Sequence, residues 1–125
     1  MSTPGELIIQ ARLHRSGRWI TIPLTVNGTR ELAAVLDTGA PVSAISPNVH
    51  ARLTESGLLQ LAATPNRYRL ASLTVDGQPL LDLEVSVIRR LDRLDVDALL
   101  GLDFLTTFAH VHFDTVALRL RLVRF

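Results

Sequence analysis

Apolar and polar positions along this chain alternate in short runs, and long amphipathic stretches are few. Strand-length apolar runs lie at residues 7–13, 19–26, 33–36, 73–75, 81–88 and 117–125. They are rich in β-branched residues or alternate with polar ones, as half-buried strands do. The alternation is cleanest where Leu81, Leu83, Val85 and Val87 point one way and Asp82, Glu84 and Ser86 the other. The first run ends at His14-Arg15-Ser16-Gly17, and Pro23 in the second predicts an edge or a bulge. Asn27-Gly28 predicts a tight hairpin leading into residues 33–36. Asp76-Gly77 predicts a second hairpin, pairing 73–75 with 81–88. A helix is predicted after Ser46-Pro47, with Ser46 as cap, Val49 and Leu53 on its inner face and Gly57 at its end. His50 falls on this helix and reads as a surface residue. A second short helix is expected over 102–108, then a closing hairpin of 111–113 with 117–125, turned at Asp114-Thr115. Residues 89–97 carry charges of alternating sign and read as a solvated loop. The pattern predicts one mostly β domain over residues 1–125 with two short helices.

Composition narrows the chemistry. With 47% hydrophobic and 20% charged residues, the chain can bury a real core. A net charge of +1 points to neither nucleic acid nor a membrane surface as partner. All 13 basic residues are Arg, so lysine-nucleophile and Schiff-base chemistry are excluded. The absence of Cys excludes disulfides, thiol catalysis and thiolate metal sites. Residues 1–6 lack the basic start and apolar core of a leader, and no apolar run has the length of a membrane span. A cytoplasmic location is the expectation.

One acid stands out. Ala33-Ala34-Val35-Leu36 delivers Asp37 to the turn Asp37-Thr38-Gly39-Ala40. A carboxylate at the end of a buried strand is costly unless hydrogen bonds or a chemical role offset the desolvation. Downstream, Ala98-Leu99-Leu100-Gly101-Leu102-Asp103 places a glycine after an apolar run. An Asp-Thr-Gly-Ala turn after an apolar strand, continued by Val42-Ser43-Ala44-Ile45 and followed by a hydrophobic-hydrophobic-Gly element, resembles the retropepsin-like aspartic proteases.

The resemblance implies a retropepsin-like closed β domain acting as a homodimer on a peptide or protein substrate. Asp37 would be catalytic. Thr38 would hydrogen-bond across the dimer axis, the Gly39 N–H would orient the carboxylates, and Ala40 would lie beside the substrate backbone. Leu99, Leu100 and Gly101 would be buried supports, Gly101 making room for the turn. No cofactor or metal is called for. Peptide hydrolysis by carboxylates needs two in contact, sharing one proton, because like charges so close cannot both ionise. The chain has a single Asp-Thr-Gly, so the second Asp37 must come from another copy. Ser43 matches a position where the family has Ser or Thr, or is simply a core hydroxyl bonded locally.

The family's flap hairpin would fall near residues 61–70, a stretch without glycine, with Pro65-Asn66 at its tip and Tyr68 either on it or packed beneath. His110, His112 and Asp114 share one face of a strand, a pattern a metal could use but read here as the solvated polar face of a structural strand. Asp103 reads as an electrostatic partner of a helix start. The Arg/Leu alternation from Leu118 to Phe125 either completes an intersubunit sheet or closes the chain's own. The contrasting reading of the whole chain is a catalytically silent dimeric domain that binds peptides or proteins.

Overall fold

A computed structural model describes residues 5–125; residues 1–4, on which part of the no-leader reading rests, lie outside it. Strand β1 (Glu6–Gln10) is separated by Ala11 from β2 (Arg12–Leu13), so the single strand expected over residues 7–13 is two. The break redirects the chain. β1 pairs with the C-terminal strand of one sheet, β2 with β3 (Ile20–Val26) of the other. β3 and β4 (Arg30–Leu36) form the predicted hairpin, with Asn27 at φ 51° and Gly28 at φ 70°, the left-handed values a type I′ turn requires. On its other side β3 pairs with β2 at Thr21 and with a later strand at Thr25, leaving Pro23 between the two. The residue that lacks an N–H thus sits in a gap of the ladder of an inner strand, not on the edge strand or at the bulge that the sequence predicted.

β5 (Ala44–Ile45) leads into α1 (Pro47–Glu55), whose start and stop are written in the sequence. The Ser46 hydroxyl accepts the Val49 N–H at 3.1 Å. At the far end Gly57, at φ 68°, lets the Leu58 N–H reach the Leu53 carbonyl at 2.9 Å, closing a Schellman motif. A hairpin of β6 (Leu59–Leu61) and β7 (Tyr68–Leu70) follows, then β8 (Leu73–Val75) and β9 (Gln78–Pro79). Here the sequence expectation is corrected. The Asp76-Gly77 turn pairs β8 with the short β9, while β10 (Leu83–Val87) pairs instead with β7 and, in parallel, with β5. Leu81 falls outside the strand and is exposed. The alternation holds only within β10, where Leu83 and Val85 are buried.

Residues 89–97 are not a plain loop. They contain α2 (Arg90–Arg93), held by buried Leu91 and Val96, which makes three helices among the described residues where two were expected. β11 (Ala98–Leu100) then enters the middle of the large sheet, parallel to β4 and antiparallel to β5. After α3 (Leu102–Leu105), β12 (His110–Asp114) and β13 (Arg119–Val123) form the closing hairpin. The small sheet has the order β1-β13-β12, so β13 is paired on both sides by its own chain. Its Leu120 and Leu122 are fully buried, each stabilising the fold by roughly 1.5–3 kcal/mol. The C-terminal alternation therefore closes the chain's own sheet. One apolar cluster runs from Leu7 and Ile9 through Ile22 and Leu24 to Leu120 and Leu122, joining both sheets.

Candidate active site

Two adjacent strands end together. Asp37 follows β4, and its N–H donates to the Leu100 carbonyl at the end of β11, 2.9 Å away. The turn closes with the Ala40 N–H on the Asp37 carbonyl at 3.2 Å. Asp37 is half-buried, and its Oδ1 accepts the Gly39 N–H at 2.8 Å. A Cβ at Gly39 would stand 3.1 Å from that oxygen, so any side chain there would crowd the carboxylate. Thr38 and Gly39 are exposed, and Ala40 is half-buried.

Gly101 is where the second motif meets the first. A Cβ there would lie 2.6 Å from the Ala40 carbonyl oxygen and 2.9 Å from backbone atoms of Val42. Only glycine lets the two backbones cross at this spacing. The Leu102 N–H donates to the Ala40 carbonyl at 2.8 Å, fixing the crossing. Beneath it lies fully buried Ser43. Its hydroxyl donates to Asp103 Oδ1 at 2.6 Å and accepts the Gly101 N–H at 3.0 Å, while its own N–H donates to Asp103 Oδ2 at 3.0 Å. Asp103 Oδ1 also accepts the Phe104 N–H at 2.8 Å, in the first turn of α3. Of the two readings open for Ser43, local bonding is thus ruled out: its partners are about sixty residues away. Leu100 is buried, whereas Leu99 is only half-buried, because it faces a pocket. That pocket, of about 320 Å³, is walled by Trp19, Val35, Leu36, Leu91, Leu94, Val96 and Leu99, with Arg90 and Asp37 also on its lining.

Comparison with known proteins places this arrangement. The family model described as aspartyl protease matches residues 22–104, a span that includes both motifs. The chain belongs to the aspartyl protease family. Its fold is retropepsin-like. The crystal structure of a retropepsin-like aspartic protease from Rickettsia conorii superimposes with a TM-score of 0.62 at 24% identity, covering 96% of this chain and 90% of that one. The retroviral protease-like domain of Ddi1 from Leishmania major does so with a TM-score of 0.58 at 20% identity, over 78% and 79%. No match was found among curated proteins.

In this member of the family the stretch expected to form a flap is a hairpin of β6 and β7. Pro65 and Asn66 are exposed at its tip, Asn66 taking the left-handed φ of 61° that a glycine would otherwise supply. Tyr68 is not at the tip. It lies in β7, half-buried, edge-on to the His50 ring at 4.7 Å, which makes it a packing residue and gives His50 a partner. The sequence offered no signal for Arg67. Its Nη2 donates to the Glu84 carbonyl at 3.0 Å and lies 3.9 Å from Asp103 Oδ2, and among the described residues its buried Nε has no partner. Arg67 thereby links the hairpin to the Ser43–Asp103 pair under the turn. Trp19 and the α2 residues of the pocket were also missed. They come from segments far apart in sequence, so no spacing could reveal them.

The alternative site does not assemble. His110 and His112 are exposed with ring centroids 5.9 Å apart, but Asp114 Oδ1 accepts the N–H groups of Val116 and Ala117, both at 2.9 Å. These bonds, that of Ala117 foremost, with the Arg119 charge beside them, hold the Asp114 carboxyl below its usual 3.8. It caps the turn. An apolar cavity of about 400 Å³ between Leu83, Phe104, Phe108 and Phe125 does not include Asp37 in its lining.

Proposed function

We propose that this chain is an aspartic endopeptidase, hydrolysing peptide bonds with a water activated between the Asp37 carboxylates of two copies. The observation that carries the reading is the position of Asp37. Its carboxylate accepts the Gly39 N–H, and it is part of the lining of a largely apolar pocket. One carboxylate accepts a proton from the attacking water while the other, protonated, donates to the carbonyl oxygen. One copy holds one such group, so the working unit is a homodimer. Thr38 lies exposed where a contact across the axis would form, and the exposed Gly39 would donate its N–H to orient the acid. Leu100 and Gly101 support the turn from behind. Leu99 with Trp19 shapes the pocket for a bulky apolar side chain of a peptide or protein substrate. The hairpin tipped by Pro65 and Asn66 is the cover. The protein acts in the cytoplasm, and residues 1–125 act as one domain without metal or cofactor.

Asp37→Asn tests the reading. The amide is close in size, so fold and dimer should persist, and cleavage of an unbiased peptide library at acidic pH should fall by several orders of magnitude. General acid–base action alone contributes roughly 10²–10⁴. A folded, dimeric variant that cleaves as well as the parent would falsify it. A second reading, a silent peptide-binding domain, draws on the tie from Arg67 to Asp103, which restrains the hairpin that would have to open. It is favoured if the parent binds peptides and cuts none.

A further inference from the structure

The cavity between Leu83, Phe104 and Phe108 is separate from the site described above, since Asp37 is not on its lining. At about 400 Å³ it falls within the size of small-molecule sites, roughly 300–1,000 Å³. Its body is apolar. Leu80 and Leu83 enter from the connection between β9 and β10, Phe104 from α3 and Phe108 from just beyond it. Two further apolar side chains on the lining stand in water, Leu81 at 75% exposure and Phe125 at 92%. A ligand here would cover apolar surface that the fold leaves wet.

The polar groups of this lining are few, and they differ in sign. Arg124 is held with its guanidinium at the cavity, because Nη2 donates at 3.2 Å to the carbonyl of Pro79, itself on the lining. Asp82 is exposed on the same lining. The Thr107 hydroxyl donates its proton to the Phe104 carbonyl at 2.7 Å, which leaves its oxygen to accept. One cation and two acceptors around an apolar hollow match a carboxylate and an ammonium carried on one apolar body. A plain carboxylate would satisfy Arg124 but bring its charge to Asp82, and a plain amine would do the reverse.

We propose that this cavity binds a free apolar α-amino acid of the size of phenylalanine or leucine. The carboxylate lies on Arg124, the ammonium on Asp82 and Thr107, and the side chain among Leu83, Phe104 and Phe108. The site makes no use of Asp37 and goes beyond the protease reading.

Calorimetry on the whole chain with L-phenylalanine should show one site per chain with Kd of about 1 mM or tighter. Amide NMR should place the shifts at residues 79–83 and 104–108. Hydrocinnamate, which lacks the ammonium, and L-phenylalaninamide, which lacks the carboxylate, should each bind about tenfold more weakly, as the loss of one charged hydrogen bond implies. Arg124→Met and Asp82→Asn should each weaken L-phenylalanine by about as much, whereas Asp82→Asn should tighten hydrocinnamate. The proposal is overturned if L-phenylalanine shows no binding at about 10 mM, or if hydrocinnamate or the amide binds as tightly. Shifts centred on Asp37 and Leu99 would place the ligand in the other pocket and overturn it too. The ligand series on the unaltered protein decides the matter even where a variant fails to fold. Asp37→Asn should bind L-phenylalanine as the parent does, so the two readings stand or fall separately.

Discussion

Gly101 and Ser43 hold the backbone crossing behind the turn that carries Asp37. Gly101→Ala would force a methyl to 2.6 Å from the Ala40 carbonyl, and the obstacle is backbone, which cannot rotate aside. We expect a loss of about 1–3 kcal/mol in stability, measured by chemical unfolding, with cleavage falling further because the shifted segment bears the acid. Ser43→Ala leaves the buried Gly101 N–H without its acceptor and should cost roughly 1–3 kcal/mol. Asp114 gives a pH test. Its carboxyl is held below 3.8 in the fold by the Ala117 and Val116 N–H groups, so its contribution is fully present above that value and is lost as pH falls through the lower folded one. Asp114→Ala should therefore melt below the parent at neutral pH, and the two melting curves should converge under strong acid. A difference that persists unchanged at pH about 2 would mean the turn bonds are not its source.

Among the elements, the β6–β7 hairpin and α1 differ in how they are held. α1 is closed at both ends by its own sequence, and Ser46→Ala should cost about 1 kcal/mol by removing the cap on the Val49 N–H. The hairpin depends on a distant tie. Arg67 joins it to the Glu84 carbonyl and to Asp103. Arg67→Ala should loosen the tip, seen as faster amide exchange over residues 62–67, while the Schellman-closed helix exchanges as before. If exchange at the tip is unchanged, Arg67 does not restrain it.

At the scale of the whole molecule, the proposed function gives each chain one acid of a shared pair, which would make activity a property of concentration. The cleavage rate per chain should fall on dilution through the dimer dissociation constant, and a rate independent of dilution would mean that one copy suffices. The pH profile should be bell-shaped and peak in acid, because the proposed pair would hold one proton between two carboxylates. Activity that climbs steadily above neutrality would place the chemistry elsewhere.

The sequence by itself determined the parts whose signals are local. Ser46-Pro47 and Gly57 bounded α1, Asn27-Gly28 set the hairpin, and the apolar run before Asp37 with the glycine at 101 marked the two segments that cross at the Asp37 turn. Each works because a cap, a left-handed turn or a close backbone approach admits few residue types. Pairing was a different matter. Nothing in the alternation of β10 says that its neighbours are β7 and β5 rather than the strand just before it, since a half-buried strand presents the same face to any partner. The charges of residues 89–97 hid α2, because its anchors Leu91 and Val96 are recognisable only once a core exists to receive them. The Arg67 tie and the Trp19 pocket arise where segments remote in sequence converge, and only tertiary packing decides that.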